Sequence, residues 1–270
     1  MDIVFETRFS FFGQSGWRSD HAADPDLLFA DDRLEQRLRY FEQITLESLK
    51  GQTDGNFRHL VLSSTLMPDR WQGRLRDLLF DTLGEDRVDL QFRPEGSAGH
   101  TIKDHIAETY KNEYVTQVVL DDDDAVSSDF VAALRGYAAI ARRDPLNTKP
   151  YTFISFPRGY TLGLENGKID WLSPRFVPYT NLGLALVSPG TSRRNPFLTS
   201  HKKIGQRHPS FMVTHLCPFY LRAIHGLNDS RAHKNDDRLT PKQIAAALPF
   251  FPWLADHFPE EAKAAKIAAQ

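Results

Sequence analysis

The apolar run Val118-Val119-Leu120 stops abruptly at four consecutive aspartates, Asp121 to Asp124, and this junction restricts the fold more than any other feature of the chain. A short run without polar interruption reads as a strand buried on both faces, the kind found in parallel sheets with helices above and below. The carboxylates then fall at the strand's C-terminal end, the edge where open α/β sheets place ligands. Four adjacent like charges repel one another. A hard divalent cation, Mg²⁺ or Mn²⁺, relieves that repulsion because it prefers carboxylate oxygens. On an extended strand Asp121 and Asp123 share one side, Asp122 takes the other and Asp124 begins the turn. The bland alternative is an acidic loop in which Asp124 or Asp129 caps the next helix near its positive end.

Around this junction the chain alternates two periodicities. Ile3-Val4-Phe5 starts a strand. Asp32 and Glu35 have capping-box spacing, and Leu34, Leu38, Phe41 and Ile44 give one helical face ending near Gly51. Phe57 to Leu62 reads as a strand, and Pro68 opens a helix with Trp71, Leu75, Leu78 and Leu79 on one side. Val88, Leu90 and Phe92 alternate with Asp89 and Gln91 as a half-exposed strand, and Ile102, Ile106 and Tyr110 mark a third helix. The order β-α-β-α-β-α-β predicts a doubly wound α/β half with right-handed crossovers. Ser127 or Ser128 is the expected cap of a helix carrying Phe130, Val131, Leu134 and Tyr137. Strands are expected at 151–156 and 182–187, with a hairpin between them turning at Asn166-Gly167. Residues 193–208 read as a basic loop, Thr240-Pro241-Lys242-Gln243 as a capping box, and the chain from Pro259 as a short surface helix.

No linker composition divides the 270 residues, so one domain is expected over 1–270. Its halves are 1–145 on the nucleotide side and 146–240 on the acceptor side, with a helical tail at 241–270. A net charge of -2 gives no basic field for nucleic acid. A lone cysteine, Cys217, fits a reducing compartment. MDIVFETRFSFFG does not read as a secretory signal, and no segment approaches the ~20 apolar residues of a membrane span. The expectation is a cytoplasmic protein, with peripheral contact at the inner membrane face left open.

The segments TRFSFFG, RYFEQITLESLKGQT, VVLDDDDAVSSDFV, FISFPRGY and AIHGLND together resemble the rhamnosyltransferase family of GT-A-fold glycosyltransferases, over residues 3 to 235. The resemblance implies a GT-A-like, Rossmann-like α/β/α sandwich with a mostly parallel central sheet. It also implies a nucleotide-sugar donor, a glycan or lipid-linked acceptor and a divalent metal, with transfer of a sugar such as rhamnose. Asp121 and Asp123 stand at the acidic positions of that family's DxD motif. Asp123 would be a metal ligand, and Asp121 would share the metal or contact the ribose. Asp122 joins the donor contacts. Arg8, Phe9 and Ser10 lie where the nucleotide is expected; Phe9 packs on a base or is core, and Arg8 bonds the donor or pairs with a carboxylate. Ser63 and Ser64 end the next strand at the same edge, where ordinary turn chemistry is the alternative. His225 is the expected late histidine of the metal shell, ahead of His215.

Inverting transfer needs a general base. Asp229, beside His225 and Asn228, leads, with Asp124 as a second catalytic candidate; Glu165 and Asp170 are read as solvated. Arg158 and Lys103 are candidate diphosphate contacts. The basic stretch Arg193, Arg194, His201, Lys202, Lys203, Arg207 and His208 is a solvated face, a lid over the diphosphate or a contact to an anionic acceptor. Other readings are a nucleotidyltransferase, a non-catalytic cation- or carbohydrate-binding protein and a transferase that binds donor without turnover. The first is weakened by the lack of a Gly-rich phosphate loop after the first strand.

Overall fold

The computed structural model describes residues 1–14, 23–225 and 237–268. β1 (Asp2–Arg8) is followed by α1 (Asp31–Tyr40), which continues through a π-helical stretch, Phe41–Leu46, into α2 (Glu47–Lys50). Then come β2 (Arg58–Ser64), α3 (Asp69–Leu83), β3 (Val88–Arg93), α4 (Ala98–Tyr110) and β4 (Tyr114–Val119). This is the alternation that the periodicity predicts. β5 (Ala125–Val126) and α5 (Phe130–Arg143) follow the aspartates. The further strands of the two larger sheets are β6 (Thr152–Ser155), β7 (Arg158–Glu165), β8 (Lys168–Phe176), β9 (Ala185–Pro189), β10 (Ser210–Met212) and β11 (Tyr220–Ile224), and Gly13–Gln14 pairs with Gly96–Ser97 in a third, two-stranded sheet. α6 (Pro241–Ala247) and α7 (Pro259–Ala268) close the chain.

The central sheet has seven strands in the order β10-β6-β9-β4-β1-β2-β3. β4, β1, β2 and β3 are parallel neighbours, and β10 is parallel to β6. β9 runs antiparallel to both its neighbours. On one face Phe5, Val61 and Val118 pack against Leu34, Trp71, Leu75, Phe130 and Leu134 of α1, α3 and α5. On the other, Val4, Leu60, Leu62 and Val115 pack against Ile102, Ile106 and Tyr110 of α4. The result is the expected α/β/α sandwich around a mostly parallel sheet. β6, β9 and β10 come from beyond residue 145, so the central sheet spans both halves of the chain.

A second sheet, in the order β8-β7-β11-β5, carries its own core with α6, including Leu162, Leu172, Ala223, Ile244 and Phe251. The four aspartates join β4 of the large sheet to β5 of the small one, so the acidic segment lies at the seam between two sheets. The β7–β8 hairpin turns at Asn166 and Gly167, with φ of 51° and 73°, the two positive values a type I′ turn requires. Thr240 and Gln243 form the reciprocal capping box.

Several local expectations are corrected. α1 has no side-chain cap: Ala30 occupies the cap position, Asp31 turns to Arg70 and to the Trp71 indole, and Glu35 turns to Arg74. Asp129, not Ser127 or Ser128, stands at the start of α5, and Ser127 Oγ donates to it at 2.6 Å. The basic stretch is built of short helical turns at Pro196–Leu198, His201–Lys203 and Ile204–Arg207. β10 and β11 have only three and five residues, too short for their periodicity to stand out. Among the described residues no helix is long and apolar enough to cross a membrane.

Candidate active site

The aspartates do not continue the strand. β4 ends at Val119, and the backbone turns so that the Asp124 N–H donates to the Asp121 carbonyl at 3.3 Å. The alternation expected of an extended segment is therefore lost, and the four side chains diverge. Asp121 leans toward β1, where Arg8 Nη2 donates to its Oδ1 at 3.1 Å. Asp122 is buried and accepts a two-pronged bond from Arg37 of α1, with Nε at 2.9 Å from Oδ2. Asp123 Oδ2 lies 3.0 Å from His225 Nε2, and that ring stacks on Tyr40 with centroids 4.2 Å apart. Asp124 points into the small sheet, accepting the Ala223 N–H at 2.9 Å, with Arg222 Nη1 at 3.9 Å.

The π-helical stretch clamps this turn from below. Widened helical turns recur at functional positions because they re-aim single side chains. Here the widening leaves Phe41 and Ile44 in the cores and turns Thr45 toward the acidic segment. Thr45 Oγ1 lies 2.8 Å from the Asp124 carbonyl and 3.3 Å from that of Asp121. Ser48 Oγ donates to the Thr45 carbonyl at 2.8 Å, and Gln52 Nε2 donates to the Ser48 and Ser127 carbonyls. In the motif ITLESLKGQT, Thr45 and Ser48 on a buried helix face and Gln52 just past its end thus satisfy backbone groups of the aspartates and of the residues that follow them.

Their environments separate the carboxyls electrostatically. Burial pushes Asp122 up to about 6, against the pull of Arg37. Burial, with the charge of Asp123 added, raises Asp124 well above the ordinary carboxylate range. Burial also acts to raise Asp123, but the His225 hydrogen bond and the charges of Arg37 and Arg222 more than offset it, so its carboxyl lies below that range. Of Asp122, Asp123 and Asp124, Asp123 is therefore the one whose charged form its surroundings favour on balance.

The turn brings together Arg8, Asp121, Asp123 and His225 of the residues expected from sequence; others lie elsewhere. Phe9 is fully buried against Phe41, centroids 5.5 Å apart, and belongs to the core rather than to a base-stacking surface. Ser10 is buried with a positive φ of 43°, its hydroxyl 3.2 Å from Arg33 Nη1. Ser63 and Ser64 are buried, and Ser64 Oγ accepts from the Leu66 N–H as an ordinary turn residue. Lys103 pairs with its neighbour Asp104 at 2.9 Å, and Arg158 lies over the Phe176 ring. Asp124 is anchored inward and is a structural group rather than an acceptor-facing base. Glu165 and Asp170 both pair with exposed Arg238. His215 is exposed. Asn228 and Asp229 lie outside the described residues. Sequence reasoning missed Arg37, Thr45, Ser48 and Gln52. The available signal was four polar residues interrupting the inward face of an otherwise apolar helix.

Beneath Arg8, on the same face of β1, Glu6 is fully buried and burial pushes its carboxyl up to about 8. Folding therefore takes up a proton here. The contribution is complete below the ordinary value of 4.5 and is lost as pH rises through about 8. Stability is expected to fall by up to about 1.4 kcal/mol per pH unit across that window from this group. Glu6→Gln should flatten the fall; thermal melts from pH 5 to about 8.5 that keep the wild-type slope would exclude Glu6 as its source.

The family model described as "Putative rhamnosyl transferase" matches residues 2–237, which take in every group of this site. The chain belongs to that family. No curated protein sequence matches it. Solved structures similar to this rhamnosyl transferase family member include S. aureus TarS 1–349, at 10% identity over 83% of this chain and 60% of that one, TM-score 0.45. A second S. aureus TarS chain gives 9% over 83% and 37%, TM-score 0.45. HddC from Yersinia pseudotuberculosis gives 12% over 83% and 90%, TM-score 0.32. The chain thus spans less than two thirds of either TarS chain. The membership rests on the family match alone.

Among the described residues no three of His, Cys, Asp and Glu converge to hold a metal by themselves. Asp121 faces Arg8 instead of joining Asp123. A protein cage is thus excluded for these residues, but Asp123 with His225 is a carboxylate and an imidazole side by side at the sheet edge. That donor set fits a cation of the Mg²⁺ or Mn²⁺ kind whose remaining positions are filled by phosphate oxygens and water.

Proposed function

We propose that this protein is a metal-dependent glycosyltransferase that moves a sugar from a nucleoside-diphosphate donor to a glycan or lipid-linked acceptor. Rhamnose is the sugar that the family description favours. The observation that carries the proposal is the juxtaposition of Asp123 and His225 with the Arg8–Asp121 pair at the C-terminal edge of β1 and β4. A carboxylate and imidazole to hold the cation, and a guanidinium to meet the diphosphate, are what departure of a pyrophosphate-bearing group demands. The bound cation supplies stabilisation of the negative charge that grows on the leaving diphosphate. Asp123 holds its charge for that cation, and the neutral His225 ring, its Nε2 3.0 Å from Asp123 Oδ2, would share the same cation. Arg8 offers charge and directed N–H groups to the diphosphate. Asp229, four positions after His225 in sequence, is the candidate to take the acceptor proton. Exposed Lys202 and Lys203 give an anionic acceptor, or the inner membrane face, a positive surface to approach.

A thermal-shift panel of UDP, GDP and dTDP and their sugars, with and without Mn²⁺, tests this. One nucleotide is expected to raise the melting temperature only with the metal, by roughly 5–10 °C at about 100 times its Kd. A panel in which no member gives a metal-dependent shift would overturn the proposal.

A further inference from the structure

Arg8 is also met by a segment remote in sequence. Its guanidinium carbon lies 4.3 Å from the centre of the Phe197 ring. Phe197 belongs to the helical turn Pro196–Leu198, whose first residue is capped by Asn195. The Asn195 amide is fully engaged. Its Oδ1 accepts the Phe197 N–H at 2.9 Å, and its Nδ2 donates to Gln117 at 2.9 Å and toward both oxygens of Glu6 at 3.3 and 3.4 Å. Glu6 and Gln117 sit on adjacent central strands, so the turn is pinned to the rigid middle of the sheet. Its outer side rests on α4 where Gly99 leaves room: a Cβ there would come within 2.7 Å of Leu198.

We infer that Phe197, anchored through Asn195, is a positioning residue that holds Arg8 for the donor's diphosphate. This rests on the glycosyltransferase reading above and deepens it. The geometry excludes a purely solvated role for this part of the basic stretch, because Asn195 and Pro196 are buried and Phe197 is half-buried. An aromatic face attracts a cation and restrains it laterally without consuming its N–H groups. Arg8 thus keeps its bond to Asp121 while the ring fixes the plane of its guanidinium beside the acidic turn. An aliphatic side chain of similar bulk would fill the space against α4 but would not orient the guanidinium. Arg8 and Phe197 lie on the face of β1 that Phe9 does not share, which is why the residue next to Arg8 in sequence does not do this work.

The test is the affinity for UDP, GDP and dTDP with Mn²⁺, by calorimetry, for the wild type and for Phe197→Leu, Phe197→Met and Phe197→Tyr. The Leu and Met variants keep the apolar packing and lose the ring face; Tyr keeps both. Expected is ~3- to 30-fold weaker binding for Leu and Met and recovery to within about 3-fold for Tyr, at similar melting temperatures. Wild-type affinity in a folded Leu or Met variant, or equal weakening in Tyr, overturns the inference while leaving the glycosyltransferase proposal intact. A wild type that binds none of the three probes overturns both.

Discussion

Asp123→Ala is expected to fold normally, to lose Mn²⁺-dependent nucleoside diphosphate binding and to slow sugar transfer by about a thousandfold or more. Several features of the turn set that size. Asp123 is the carboxyl held below its ordinary range, and it faces His225 at 3.0 Å. The other three are committed to Arg8, Arg37 and the β11 backbone. None of them can replace it without breaking a structural contact. The fold should survive because relieving Asp122 and Asp124 of the charge of Asp123 offsets the loss of its bond to His225. Calorimetry and single-turnover rates decide the matter. Unchanged metal-dependent affinity in the alanine protein would remove Asp123 from the site.

The largest effect on stability is expected at Arg37. Its fork on Asp122 is buried on both sides, with side chains 5% and 1% exposed. A buried charge pair adds little over apolar residues of the same volume, but breaking it leaves one charge stranded. Arg37→Met should therefore cost about 3–5 kcal/mol, a fall of roughly 6–20 °C in melting temperature. Asp122, already pushed up to about 6 by burial, rises further once Arg37 is gone. The variant should then be closer to wild type at pH 5 than at about pH 8, since the stranded carboxyl can take a proton at the lower value. Arg37→Met with Asp122→Leu should regain most of the loss. Chemical denaturation of the four proteins gives the coupling directly, and a single variant within about 1 kcal/mol of wild type would show that the fork is not structural.

What was legible in the sequence was local. Val118 to Leu120 announced a buried strand, Asn166-Gly167 a hairpin, and Thr240 with Gln243 a helix start, because each signal lies within a few residues of the structure it dictates. The family motifs carried the α/β/α arrangement. What was not legible depended on partners distant along the chain. Extended geometry for the aspartates was the natural assumption for residues ending a strand, yet Thr45 and the Asp124 N–H bend them into a turn. Arg37 and Asp122 are 85 positions apart, and Glu6 and Asn195 are 189 apart. Phe9 was open between base packing and core from its neighbours alone, and strand alternation sends it into the core against Phe41.

The π-helical stretch between α1 and α2 makes spacing a matter of indexing. Each residue advances a helix by about 100°. Arg37 lies before the widened turns and bonds Asp122, whereas Ser48 and Gln52 lie after them and bond Val126 and Ser127; these grips fall on one short stretch of chain because the six residues Phe41–Leu46 are wound to a larger circumference. Deleting any one of those residues would permit an ordinary helix and swing the downstream grips away from the upstream one by about a quarter of a revolution. Length, more than side-chain identity, is what that stretch cannot surrender.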